Sequence, residues 1–97
     1  MATYSVLANF TDQGIRNVKD TLKRAEAFKE MAGRFGISVK EICWTLGQYD
    51  VVATIEGPDD QSATALSLAL NALGNVRTQT LRAFGAGEMK QILDKIS

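Results

Sequence analysis

The chain has no histidine, one cysteine and one proline in 97 residues. Without histidine there is no Ser-His-Asp or Cys-His catalysis, no imidazole proton transfer and no histidine metal site. A lone Cys43 excludes an internal disulfide and a thiolate zinc cluster. Excess charge of either sign is missing too. Eleven Lys and Arg balance eleven Asp and Glu, which argues against a nucleic-acid or anionic-membrane binder. No stretch approaches the roughly 20 apolar residues that span a bilayer. The most apolar one, Ala63 to Leu73, is interrupted by Thr64, Ser67 and Asn71. The opening Met1-Ala2-Thr3-Tyr4-Ser5 lacks the basic and apolar regions of a secretory signal. A cytoplasmic protein without membrane association, cofactor or metal is the expectation.

What is present is ordinary globular composition, 45% hydrophobic and 23% charged. At this length it suits one core and one domain over residues 1–97. Thr3 to Phe10 alternates as a strand. Thr11 stands where a helix N-cap belongs, with Asp12 in the first turn. Ile15, Val18, Leu22, Ala25, Phe28, Met31, Ala32 and Phe35 then recur at helical steps, predicting one amphipathic helix of about six turns. Gly33 or Gly36 ends it.

Ile37 to Leu46 and Tyr49 to Glu56 read as two further strands. Gly47-Gln48 between them predicts a two-residue hairpin in which Trp44 faces Val51. Gly57-Pro58-Asp59-Asp60 opens a second helix that runs through Leu73 and stops at Gly74. Val76 to Phe84 is the fourth strand. Gly85 and Gly87 precede a short last helix carrying Met89, Ile92, Leu93 and Ile96. The order β-α-β-β-α-β predicts a ferredoxin-like α+β fold: a four-stranded antiparallel sheet ordered 4-1-3-2, two helices on one face, and a short C-terminal helix.

The hairpin register sorts the sheet by face. Ile42, Trp44, Leu46, Tyr49, Val51, Ala53 and Ile55 share the apolar side under the helices. Thr3, Ser5, Leu7 and Asn9, with Glu41, Cys43, Thr45, Asp50, Val52, Thr54 and Glu56, share the other. Thr78, Thr80 and Arg82 are expected there as well. Asn9, Thr45, Asp50 and Thr78 would then gather at one end of the open face, and Thr3, Glu41, Glu56 and Arg82 at the other. Such a half-polar face suits a wet cavity or a cover provided by a second copy of the sheet.

Gly47-Gln48-Tyr49-Asp50, followed by Val51-Val52-Ala53 and Pro58-Asp59, resembles the signature of the bacterial GYD family. Phe10-Thr11-Asp12-Gln13-Gly14-Ile15, Leu73-Gly74-Asn75-Val76-Arg77-Thr78 and Leu81-Arg82-Ala83-Phe84 are similar to its flanking segments. Together they run from about Tyr4 to Glu88. Trp44 departs from the pattern, where an aliphatic residue is more typical. The resemblance implies a ferredoxin-like fold of the dimeric α/β barrel type and little about activity. The Gly-x-Tyr-Asp hairpin is also similar to the amino-acid-sensing domains of leucine-responsive regulators.

Cys43 has no neighbour to make it nucleophilic and reads as a small buried thiol. Asp50 is the strongest functional candidate, because a carboxylate on a partly buried face needs a hydrogen-bond partner. The expected ligand-binding set is Asn9, Thr45, Tyr49, Asp50, Thr78 and Arg82. The first functional expectation is a homo-oligomeric small-molecule binding or sensing module with its site near the open sheet face. A cofactor-free monooxygenase or isomerase of the dimeric α/β barrel type, and a structural assembly subunit, are the alternatives.

Overall fold

Four strands and four helices follow one another in the computed structural model, which describes residues 1–96. They are β1 (Ala2–Phe10), α1 (Asp12–Arg16), α2 (Thr21–Arg34), β2 (Ser38–Trp44), β3 (Val51–Gly57), α3 (Asp60–Ala72), β4 (Val76–Ala83) and α4 (Ala86–Leu93). The sheet is antiparallel throughout and ordered β2-β3-β1-β4. Tyr4, Val6, Ala53 and Ile55 from its centre pack against Phe28 and Ala32 of α2 and Ala63 and Leu66 of α3. This single layer of helices over a sheet is the α+β arrangement expected of the connectivity.

The expected six-turn helix is broken. α1 ends at Asn17, whose backbone leaves the helical region at φ −107° and ψ 30°, and a single 3₁₀ turn (Val18–Asp20) leads into α2. Gly14, Ile15 and Val18 are weak helix formers. The Asn17 side-chain amide bonds back to Gln13 O at 3.0 Å. Arg24 then holds both segments together, donating to Asn17 O at 2.8 Å and Gly14 O at 3.1 Å. A cation at freed C-terminal carbonyls suits the helix dipole.

α2 closes as expected. Gly36 takes φ +72°, its N–H donates to Gly33 O, and the Ile37 N–H reaches Ala32 O at 2.9 Å. This paired ending is the Schellman motif, with Ile37 and Ala32 both buried beneath it.

The hairpin register holds from Trp44↔Val51 to Glu41↔Thr54, and a bulge at Lys40 shifts it by one residue beyond. The connection is a loop over Thr45–Asp50 instead of a tight two-residue turn, closed by Thr45 N donating to Asp50 O at 2.9 Å. Leu46 is consequently fully exposed.

Three further expectations are corrected. Tyr4, Val6 and Ala8 face the helices, and their direct partners across β1 and β4 are Arg82, Thr80 and Thr78. Opposed residues share a face, so these three lie on the helix side, while Arg77, Gln79 and Leu81 occupy the open side. Cys43 is exposed, not buried. The dimeric α/β barrel is not supported either. The sheet stays open, with β2 and β4 as unpaired edges. Curvature in sheets comes from bulges and interior glycines. Here one bulge breaks the register, and among the described residues Gly57 at a strand end is the sole strand glycine.

Candidate functional site

Beside the core cluster the two layers carry small residues. Ala8 of β1 and Ala53 of β3 lie on the helix side of adjacent strands, two residues out of register, and Ala25 of α2 lines the same space. Short side chains on both layers leave a hollow of about 120 Å³, open on one side. Phe28, Met31 and Leu70 wall it, and Phe10, Val51 and Val76 line its end. A cavity with apolar walls of this order stays dry or takes up a small apolar molecule.

The rim is polar. Trp44 extends from β2 and donates its indole N–H to Thr21 Oγ1 at 2.9 Å, tying the sheet edge to the first residue of α2. Trp44 also lines the hollow and is 40% exposed. Arg24 lines it too, with its guanidinium 5.9 Å from the centre of the Phe10 ring. Thr78 belongs to the lining and accepts from Asn71 Nδ2 at 3.1 Å. The oxygen of that amide, Asn71 Oδ1, is buried without a partner.

The expected site residues do not form one cluster. Asp50 caps the end of β1, its Oδ2 accepting from Phe10 N at 2.9 Å while its own N–H donates to Ala8 O at 2.9 Å. The Thr45 hydroxyl closes onto Tyr49 O within the loop. Tyr49 reaches Gln79 Oε1 on the open face at 3.1 Å, away from Trp44. Asn9 is exposed on that face, opposite Arg77. Thr78 alone of the set lines the hollow. Arg82 pairs with Glu88 at 3.0 Å and stacks 4.5 Å from the Phe84 ring, so neither Glu41 nor Glu56 is its partner. Glu56 pairs with Lys40, and Glu41 accepts from Cys43 Sγ at 3.4 Å. That hydrogen bond, more than burial, pushes the Cys43 thiol pKa up, which suppresses its thiolate.

A second polar group lies near the start of α3. Tyr4 donates to Asp60 Oδ1 at 2.5 Å beneath Arg82, in a shallow hollow flanked by Pro58 and Gln61. Burial first, then the Asp60 hydrogen bond and charge, push the Tyr4 pKa up to about 12. A phenol held neutral that firmly is a poor proton donor near pH 7, so this pair is a brace between β1 and α3. Asp59 beside it caps α3 by accepting from Ser62 N at 2.8 Å, which holds its pKa below the usual carboxylate value.

Sequence reasoning missed Arg24 and the Trp44–Thr21 bond. Arg24 reads as one more solvated charge in a helical pattern, until the break at Asn17 gives it carbonyls to bind. The alanines at 8, 25 and 53 were the available signal for a hollow, because core positions usually carry larger side chains.

The segments around Thr11, Gly74 and Asp50 also meet at the end of this hollow. Thr11 N donates to Asn75 O at 3.0 Å, and the Thr11 hydroxyl donates to Gly74 O and accepts from Gly14 N. Gln13 Nε2 reaches Leu73 O and Asn75 Oδ1. Asp50 joins them through Phe10.

Fold and site define a class: a split βαβ layer of helices on an open antiparallel sheet, with an apolar pocket between the layers. Within that class the chain belongs to the GYD domain family, whose pattern matches residues 4–93. Among solved structures it is similar to the protein TTHA0845 of Thermus thermophilus, at 27% identity and a TM-score of 0.58. That likeness covers 89% of this chain and 96% of the other. No curated protein matches the chain. Among the described residues no helix is long and apolar enough to cross a membrane.

Proposed function

We propose that this domain binds a small molecule in the pocket between its sheet and helices. The hollow of about 120 Å³ carries the reading. Apolar walls with no atoms facing them forgo dispersion contacts that a well-packed interior would make. A bound molecule would restore the missing contacts. The partly exposed Trp44, Thr21 and Arg24 at its edge offer an entry path and a reporter. The site therefore belongs on the helix side of the sheet, with Thr78 retained from the expected set.

Native mass spectrometry of freshly purified protein tests this against the denatured mass. A discrete added mass, lost on filling the pocket with Ala25→Leu, is the expected result. A bare chain, whose single Trp44 emission also stays constant across a panel of small apolar molecules, would overturn it. The mass of the native ion counts the subunits as well, and so tests the expected homo-oligomer.

A further inference from the structure

We infer that the pocket selects a small monocarboxylate: an apolar body of about four to six carbons with one acidic group. The inference rests on the pocket reading above and adds the chemistry of the ligand. Its basis is Arg24. This residue lines the hollow and has no ion-pair partner among the described residues. No acidic residue among them lines the pocket to offset its charge. The α1 carbonyls that Arg24 caps supply partial charge only, so the half-buried cation still gains from a full counter-charge.

The guanidinium is also preorganised. Its Nη1 and Nη2 each donate to a backbone carbonyl, of Asn17 and Gly14, and the Phe10 ring lies 5.9 Å away. Those contacts use two of five N–H donors. The remaining donors keep a fixed orientation, which lowers the ordering cost of binding a planar carboxylate. The size of the body follows from the hollow. About 120 Å³ is slightly less than the ~150 Å³ engineered cavity that takes up benzene, so a six-carbon ring or a short branched chain fills it. The apolar lining leaves room for one polar end, and the charged end belongs beside Arg24.

The test is a titration of Trp44 emission, the chain's one tryptophan, with four probes. Benzoate and isovalerate carry body and charge, benzyl alcohol carries the body alone, and acetate carries the charge alone. Benzoate or isovalerate is expected to bind saturably, and roughly ten- to a hundredfold more tightly than benzyl alcohol, the range for a hydrogen bond to a charged group. Acetate is expected to leave the emission unchanged. In Arg24→Gln the gap between benzoate and the alcohol should close, with alcohol binding retained. Because Arg24 also caps α1, the comparison of probes on the unaltered protein stands without that variant. Equal binding of benzoate and benzyl alcohol would overturn the carboxylate preference and leave the pocket reading intact. Binding of none of the four, in protein shown by native mass to be free of other ligand, would overturn both.

Discussion

Replacing Gly14 by alanine separates backbone packing from helix propensity. A Cβ at this position would sit 2.0 Å from Asn75 O and 2.9 Å from Asn75 C. Closest approach for a real Cβ is about 3.0 Å, so the two backbones must part by about 1 Å. No flexible side chain can absorb the shift. The bonds that clasp these segments, Thr11 N to Asn75 O and the Thr11 hydroxyl to Gly74 O, are stretched beyond useful length, and the Gln13 contacts with Leu73 and Asn75 weaken. Two to three hydrogen bonds at about 1 kcal/mol each give a loss of roughly 2–3 kcal/mol. In a domain of this size that lowers the melting temperature by roughly 10–25 °C. Gly33 supplies the contrast. Nothing lies within 4 Å of its added Cβ, and it sits inside α2, so Gly33→Ala should gain about 0.5–1 kcal/mol. Thermal and urea unfolding followed by circular dichroism measures both. A Gly14→Ala protein melting within about 3 °C of the parent, or a Gly33→Ala protein destabilised to the same degree as Gly14→Ala is expected to be, would refute the reasoning.

Asp50→Ala removes the acceptor for Phe10 N–H and should cost about 1–2 kcal/mol in urea unfolding, whereas Asp50→Asn keeps an oxygen there and should stay within about 0.5 kcal/mol. A large loss in the asparagine variant would show that the charge itself matters. Tyr4 predicts an alkaline dependence. Its folded pKa of about 12 lies above the ordinary 10.0, so its contribution is complete below pH 10 and is lost as pH rises through 12. Unfolding free energies between about pH 9 and 12 should fall in the parent and lose that component in Tyr4→Phe.

The sheet order and the hairpin register from Trp44 to Glu41 were legible in the sequence, since alternation and the turn residues constrain both. The face of β4 was not. Val76-Arg77-Thr78-Gln79-Thr80-Leu81-Arg82 is equally mixed in either phase, and its pairing with β1 decides. The hydroxyls then turn inward because α3 offers partners: Ser67 for Thr80 at 2.9 Å and Asn71 for Thr78. The break at Asn17 was equally hidden, because Arg24, further along the chain, completes the interrupted helix end. For the site, composition drew attention to carboxylates and hydroxyls, while the pocket is made by what the alanines leave out. Asp50 proved to be a strand cap, a role that depends on where β1 ends in space.

The central position of β1 governs how the chain reaches this structure. Tyr4 pairs with Ile55 and with Arg82, partners 51 and 78 residues away. Both sides of this inner strand therefore wait on distant segments, and the loops between must close before either ladder forms. Such non-local pairing makes folding slower than that of a helical bundle of similar size. Until β4 arrives, Tyr4, Val6 and Ala8 have an unpaired edge beside them, so the interval before that last ladder closes is when the chain is most open to aggregation.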